Sequence, residues 1–391
     1  MPFSQHVFDT NVKKRIRGGK MGKQGVFKPG LEGVIAGETN ISFLDTEAEQ
    51  IVIKGYDLIE LAEQKTYLDL VYLLLQDKLP DPMELKGIES ALKSAYELPG
   101  GIYTILKSLP NNTHPMDALR TGISALAGYD PELNDRSQAA NRSKALRLIA
   151  QVPNITANSY RILHQKNVIT PDKQLSFSQN FLYMLTEKEP TPQETAVFDQ
   201  TLMLYSEHEM PNSTFAARVI ASTNTDIYGA FTGAAASLKG HLHGGANEAV
   251  MYMLLEGETK SGFCKLIEHK LSRKEKIMGF GHRVYMRKMD PRAALLKKAL
   301  YSLSHKTGRQ DLYEMCDAGE KLMREEKGLY PNLDYYAAPV YYLLGIPIDL
   351  YTPIFFAARS VGLSAHVIEQ HEDNRLFRPR VHYTGPRHLH P

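Results

Sequence analysis

The sequence predicts an all-α class of fold, mainly helical, with one small β-hairpin near its start. Three observations carry that prediction. Apolar residues recur at helical spacing almost throughout the chain after Asp57. A capping residue followed by proline marks helix starts at Asp81-Pro82, Thr191-Pro192, Asp290-Pro291 and Thr352-Pro353. Proline suits the first helical position because an N–H there would have no partner within the helix. Convincing strand patterns are confined to 41–44 and 51–53.

In chain order, Ile41-Ser42-Phe43-Leu44 and Ile51-Val52-Ile53 flank a polar turn and read as the two arms of the hairpin. Tyr67, Leu70, Val71, Leu74 and Leu75 then share one helical face, and Thr66 with Asp69 offers a capping box. Pro99-Gly100-Gly101 and Pro110-Asn111-Asn112 interrupt the pattern. The periodic segments between such breaks number roughly fifteen to twenty, without a solenoid repeat. Strands and helices do not alternate, which excludes a doubly wound α/β sheet. The small residues of 232–237 allow close helix packing and lie beside Gly240, Gly244 and Gly245, where a hinge before a second domain is expected. The expected division is a flexible basic tail over 1–29, a large helical domain over 30–240 and 341–391, and a small helical domain over 241–340.

The chain of 391 residues can bury a substantial core, and its 43% hydrophobic and 23% charged content excludes fibrous and disordered classes. No apolar run reaches the roughly 18 residues that span a bilayer, and the first thirty residues show no signal-peptide core, so a cytoplasmic location is expected. Cys264 and Cys316 are isolated, which argues against a disulfide framework or a cysteine metal site. The basic cluster of Lys13, Lys14, Arg15, Arg17, Lys20 and Lys23 has no aromatic interleaving, and no nucleic-acid partner is expected. Between Lys270 and Lys298, ten Lys or Arg face only Glu275 and Asp290. That surplus encloses His282 and suits a polyanionic ligand better than a merely solvated flank.

Three segments carry titratable groups beside backbone breakers. His243 precedes Gly244-Gly245 and a helix expected from Asn247. The positive end of that helix would keep the imidazole neutral, able to donate a hydrogen bond to a developing enolate without adding charge. His241 lies two residues earlier, but no third ligand follows at helical spacing, so no metal is expected. His282 lies between Gly281 and Arg283, in a loop leading to Asp290-Pro291-Arg292. Asp334 follows Pro331-Asn332-Leu333 and precedes an aromatic run, which leaves two readings open. It is either a helix N-cap or a carboxylate of raised pKa suited to general-base work.

His208 falls in a polar cluster ahead of a helix that Asn212 is expected to cap. Arg359 sits on an apolar stretch with Phe355, Phe356, Ala357 and Ala358, where a lone cation needs an anion. Arg378 and Arg380 bracket Pro379. Converging guanidinium groups point to a di- or tricarboxylate ligand, which they grip bidentately.

Taken together, these segments resemble the citrate synthase family over about 30–383. The residues that carry the resemblance are Gly55-Tyr56-Asp57, His114-Pro115-Met116-Asp117, Ser206-Glu207-His208-Glu209, 242–248, 279–285, Asp290-Pro291-Arg292, Pro331-Asn332-Leu333-Asp334 and Arg378-Pro379-Arg380. The resemblance implies a two-domain homodimer that closes over substrate. It implies that Asp334 removes the α-proton of an acyl-CoA, that His243 stabilises the enol(ate), and that His282 acts on the oxaloacetate carbonyl. His208, Arg292 and Arg359 would hold oxaloacetate, joined by Arg378 from the other subunit. Lys276, Ile277, Met278, Gly279 and Phe280 would line the coenzyme A site, with coenzyme A entering as a thioester substrate and no permanently bound cofactor.

The 212–220 and 331–336 segments look most like the short 2-methylcitrate synthases. The expected reaction is therefore condensation of propionyl-CoA, acetyl-CoA or both with oxaloacetate. A lyase running the bond in reverse and a non-enzymatic helical scaffold are the competing readings. The scaffold gives no reason for an arginine in an apolar helix beside clustered histidines.

Overall fold

Local capping rules set most of the helix starts, as a computed structural model that describes residues 27–45, 47–48, 50–281 and 288–391 shows. Strands β1 (Ser42–Asp45) and β2 (Gln50–Ile53) form the expected antiparallel hairpin, with Ser42 opposite Ile53. A third strand, β3 (Tyr56–Asp57), pairs with β2 and was not foreseen, because two residues carry no periodicity. Asp57 then accepts from the N–H groups of Ile59 and Glu60 and caps α1 (Leu58–Gln64).

The first helical layer comprises α2 (Tyr67–Gln76), α3 (Pro82–Ser94), α4 (Gly100–Lys107), α5 (Pro115–Leu126) and the long α6 (Gln138–Leu163). The Thr66–Asp69 capping box forms, and Asp81-Pro82 starts α3 as the sequence predicts. Next come α7 (Phe177–Thr186), α8 (Pro192–Ser206), α9 (Asn212–Ala221) and α10 (Ile227–Lys239). Asn212 does not cap α9. Its side chain instead accepts from the Ser237 hydroxyl at 2.6 Å, and Pro211 holds the N-cap position.

The following helices, α11 (Ala246–Gly257), α12 (Lys260–Ser272), α13 (Pro291–Thr307), α14 (Gln310–Lys327) and α15 (Leu333–Leu343), pack largely on one another, α13 and α11 against α15 and α12 against α14. The chain returns through a 3-10 turn at Ile348–Leu350 into α16 (Tyr351–Glu372). Every residue of α16 from Tyr351 to Ile368 is buried. A helix apolar on all sides belongs in a core, and α16 is packed by α2, α6, α8, α9 and α10. Its start departs from the sequence reading: Thr352 is not the N-cap and Pro353 is not the first helical residue, because α16 runs on from the 3-10 turn with Leu350 at the cap position.

All these elements lie in one unit, Thr39–Phe377; the residues from Arg378 to Pro391 belong to a second unit with the described residues up to Glu38. The basic cluster at 13–23 falls outside the described residues. No described helix is long and apolar enough to cross a membrane.

Candidate active site

Two loops are bound edge to edge beneath α15. The Gly281 N–H donates to the Tyr330 carbonyl at 3.0 Å and the Asn332 N–H to the Gly279 carbonyl at 2.9 Å, while Phe280 and Pro331 form an isolated bridge. Gly279 makes this approach possible. Its φ is +86°, and a Cβ there would stand 2.7 Å from Val250 and 2.9 Å from the Tyr335 ring. The pairing brings the loop that leads into His282 alongside the loop that delivers Asp334. His282 itself lies outside the described residues.

Asn332, not Asp334, caps α15: its Oδ1 accepts the Asp334 N–H at 3.1 Å. The N-cap reading of Asp334 is therefore overturned, and its carboxylate is released for other work. Tyr205, at the end of α8, donates its hydroxyl to Asp334 Oδ1 at 2.6 Å. Burial raises the Asp334 pKa to about 6, although the Tyr205 hydrogen bond and the charges of Arg292 and Arg359 pull it down.

His243 lies in the turn before α11. The Ser213 N–H donates to His243 Nε2 at 3.2 Å, with the Ser213 hydroxyl 2.9 Å from the same nitrogen. An imidazole that accepts at Nε2 carries its proton on Nδ1 when neutral. Burial first, and the Arg359 charge second, lower the His243 pKa to about 4, so the ring is neutral at physiological pH. The expected neutrality thus has two causes beyond the helix end.

Arg359 is 2% exposed in the middle of α16. Its Nε donates to the Tyr205 carbonyl at 2.7 Å, its guanidinium lies 4.9 Å over the Phe355 ring, and its Nη1 has no hydrogen-bond partner among the described residues. Phe355 also packs against Tyr205 at 4.7 Å and presents an edge to His243 at 6.4 Å. Burial lowers the Arg359 pKa to about 10, with Glu207 opposing and Arg292 adding to the fall, and the group stays charged.

Arg292, in the first turn of α13, is buried and bidentate to Asp290 at 3.0 and 2.7 Å, and its Nη1 donates to the Leu204 carbonyl at 3.4 Å. His208 is buried in the loop that follows α8. Its neighbour Glu207 is fully buried, accepting from Ser42 at 2.9 Å and pairing with His366 at 3.1 Å.

The structure thus joins Asp334, His243 and Arg359 around Tyr205 and Phe355, with Arg292 near enough for its charge to act on Asp334 and Arg359. Arg378 belongs to the other unit. Its side chain is exposed and donates to the Pro379 carbonyl at 2.9 Å. Among the residues expected to line a coenzyme A site, Lys276 is exposed and Met278 half-buried, whereas Ile277, Gly279 and Phe280 are buried. Phe280 packs on Tyr335 at 4.5 Å.

The basic surplus of this region is partly spent on ion pairs. Arg273 meets Glu275 at 2.9 Å, and Lys297 meets Asp317 and Glu320, both at 2.8 Å. No group of three or more His, Cys, Asp or Glu among the described residues could hold a metal ion. Sequence reasoning missed Tyr205, Ser213, Phe355 and Asn332 as site residues. Tyr205 and Ser213 flank the His208 cluster, but nothing local shows that they face residues 129 and 30 positions away.

A half-buried acid of raised pKa, a neutral histidine and two buried arginines on a helical scaffold are an arrangement of the class that enzymes use for acid–base chemistry on anionic substrates. The chain belongs to the citrate synthase family, whose profile, described as citrate synthase, C-terminal domain, matches residues 30–380. It is 64% identical over 362 residues to the citrate/2-methylcitrate synthase of Bacillus subtilis (strain 168), covering 93% of this chain and 97% of that protein. It is 62% identical to the citrate synthase of Heyndrickxia coagulans, again with 93% and 97% covered. Among solved structures, the ternary complex of citrate synthase from the archaeon Thermoplasma acidophilum with carboxymethyl coenzyme A and oxaloacetate superposes with a TM-score of 0.87 at 31% identity, covering 92% and 96% of the two chains.

Proposed function

We infer that this protein condenses an acyl-CoA with oxaloacetate and water, producing citrate, 2-methylcitrate or both, and free coenzyme A. One observation carries the chemistry: two titratable groups in one site are shifted in opposite directions and exchange order, Asp334 up from 3.8 to about 6 and His243 down from 6.5 to about 4. Such opposite shifts support Asp334 as the base and His243 as the neutral hydrogen-bond donor.

Asp334 takes the α-proton of the thioester. The His243 N–H stabilises the enol(ate) oxygen that forms. The α-carbon then attacks the oxaloacetate carbonyl, whose oxygen takes a proton and becomes the tertiary hydroxyl, a step the family resemblance gives to His282. Water cleaves the remaining thioester, releasing the coenzyme A thiol and a new carboxylate. Arg359, with an unpartnered Nη1, and Arg292, held by Asp290 and the Leu204 carbonyl, supply the cationic seat for the oxaloacetate carboxylates, which His208 is proposed to join.

The reading includes a homodimer to which the partner subunit's Arg378 contributes, a coenzyme A site over 276–280, a cytoplasmic location, and closure of a 241–340 domain over the substrates. Both acyl chains are proposed as substrates. The first relative is named for both products, and one methylene in an apolar pocket is worth only about 1–3 kcal/mol of discrimination. A thiol-release assay with acetyl-CoA and propionyl-CoA tests the reading. Release is expected only when oxaloacetate is present, and no release with either thioester would end it.

A further inference from the structure

The start of α16 has no side-chain cap of its own, yet its second residue is held from outside the helix. Glu248, in the first turn of α11, accepts the Thr352 N–H through Oε1 at 3.2 Å. This places a carboxylate at an otherwise uncapped helix N-terminus, where N–H groups lack intrahelical partners and the dipole favours negative charge. The Thr352 hydroxyl donates to the Gly244 carbonyl at 3.2 Å. A third bond, from the Tyr252 hydroxyl to Asp349 Oδ1 at 3.1 Å, joins α11 to the turn just before α16.

These bonds begin right beside one functional group. Gly244 is the residue after His243, and Glu248 lies one turn further on. Gly244 also lies flat against α10, since a Cβ there would collide with the Leu238 carbonyl and side chain. On the other side of these bonds, Phe355 and Arg359 follow Thr352 on α16 by one and two turns. The His243 turn is therefore tied to the helix that carries the carboxylate-binding arginine through Thr352 itself.

We propose that Thr352 and Glu248 are positioning residues for the condensation, forming a clasp that keeps the His243 N–H in register with the α16 helix on which oxaloacetate is gripped. The inference rests on the proposed condensing activity. Misplacing a hydrogen-bond donor by a fraction of an ångström affects the step in which charge develops more than it affects ground-state binding. Neither residue touches substrate in this scheme.

The test compares Thr352→Val, Thr352→Ser and Glu248→Leu with the wild type, measuring kcat by thiol release and oxaloacetate affinity by calorimetry. Thr352→Val, which keeps the shape and removes the hydroxyl, is expected to lower kcat on the order of tenfold with oxaloacetate affinity within about twofold. Thr352→Ser restores the donor and is expected to recover most of the rate. Glu248→Leu reads the other half of the clasp and serves if Thr352→Val folds poorly. An unchanged kcat in both Thr352→Val and Glu248→Leu overturns the clasp. So does a serine variant as slow as the valine one, or an equal loss of oxaloacetate affinity and kcat. Inactive wild-type protein would remove the condensation reading and the clasp together, whereas an active wild type with indifferent variants removes the clasp alone.

Discussion

Tyr205 donates its phenolic hydrogen to Oδ1 of Asp334 at 2.6 Å, while its own backbone carbonyl accepts from Arg359 Nε at 2.7 Å. One residue at the end of α8 thus orients the proposed base with its side chain and the proposed anion-binding arginine with its main chain. Its hydrogen bond to Asp334 favours the ionised carboxylate and opposes the larger, upward push of burial.

Replacing Tyr205 by Phe should therefore raise the Asp334 pKa further. The base must be deprotonated to act, so the acidic limb of the kcat/KM profile should move to higher pH by about one unit, from the worth of a hydrogen bond to a charged group. Much of the lost rate should return in more alkaline buffer. An acidic limb that stays in place in Tyr205→Phe would disconnect this contact from the base.

Asp334→Asn should abolish turnover by a factor of about 10² to 10⁴, the usual contribution of a general base, while calorimetric oxaloacetate binding persists. The same variant should be more stable than the wild type at neutral pH. A carboxyl raised from 3.8 to about 6 is favoured by the folded state only when protonated. Its stabilising contribution is full below the unfolded pKa and is lost as pH rises through the folded pKa. At pH 7.5 the ionised form costs on the order of 2 kcal/mol, allowing for partial exposure. The gain in Tm of Asp334→Asn over wild type should shrink towards zero near pH 4, and a gain independent of pH would refute the linkage.

Ser213→Ala removes the hydroxyl beside His243 Nε2 but leaves the N–H that donates to it. The tautomer should survive with looser orientation. A fall in kcat of about three- to tenfold is expected, with oxaloacetate affinity unchanged, as for the loss of one neutral hydrogen bond. Thiol-release kinetics at saturating oxaloacetate would show it.

Arg359→Lys keeps the charge and loses the fork. Bidentate carboxylate binding needs the planar guanidinium, and a lysine cannot replace both the bond to the Tyr205 carbonyl and the free Nη1. Oxaloacetate should bind about 10- to 100-fold more weakly by calorimetry. Wild-type affinity in this variant would remove Arg359 from the seat.

Much of the helical framework was legible locally. Thr66 with Asp69, Asp81 with Glu84 and Thr191 with Glu194 close capping boxes between residues three apart, so sequence spacing and structure coincide. Thr352-Pro353 carries the cap-then-proline start signal of Asp81-Pro82 and Thr191-Pro192 and behaves otherwise. Its hydroxyl is drawn to Gly244, 108 residues away, a bond available only after α11 has docked. Asn212 fails as a cap for a similar reason, since Ser237 claims its side chain. A local signal holds when its donor and acceptor have no better partner elsewhere, and tertiary packing decides whether one exists.

By itself the sequence determined the helical class, the early hairpin, most helix starts and the identity of the groups that can do the chemistry, because short-range hydrogen bonds and apolar periodicity act within a few residues. Only the tertiary structure decided that Asn332 caps α15 and frees Asp334, that Tyr205 and Ser213 meet the base and the histidine, and that Arg359 lies close enough to help keep His243 neutral. Burial and through-space charge depend on which distant segments meet, and no local spacing encodes that meeting.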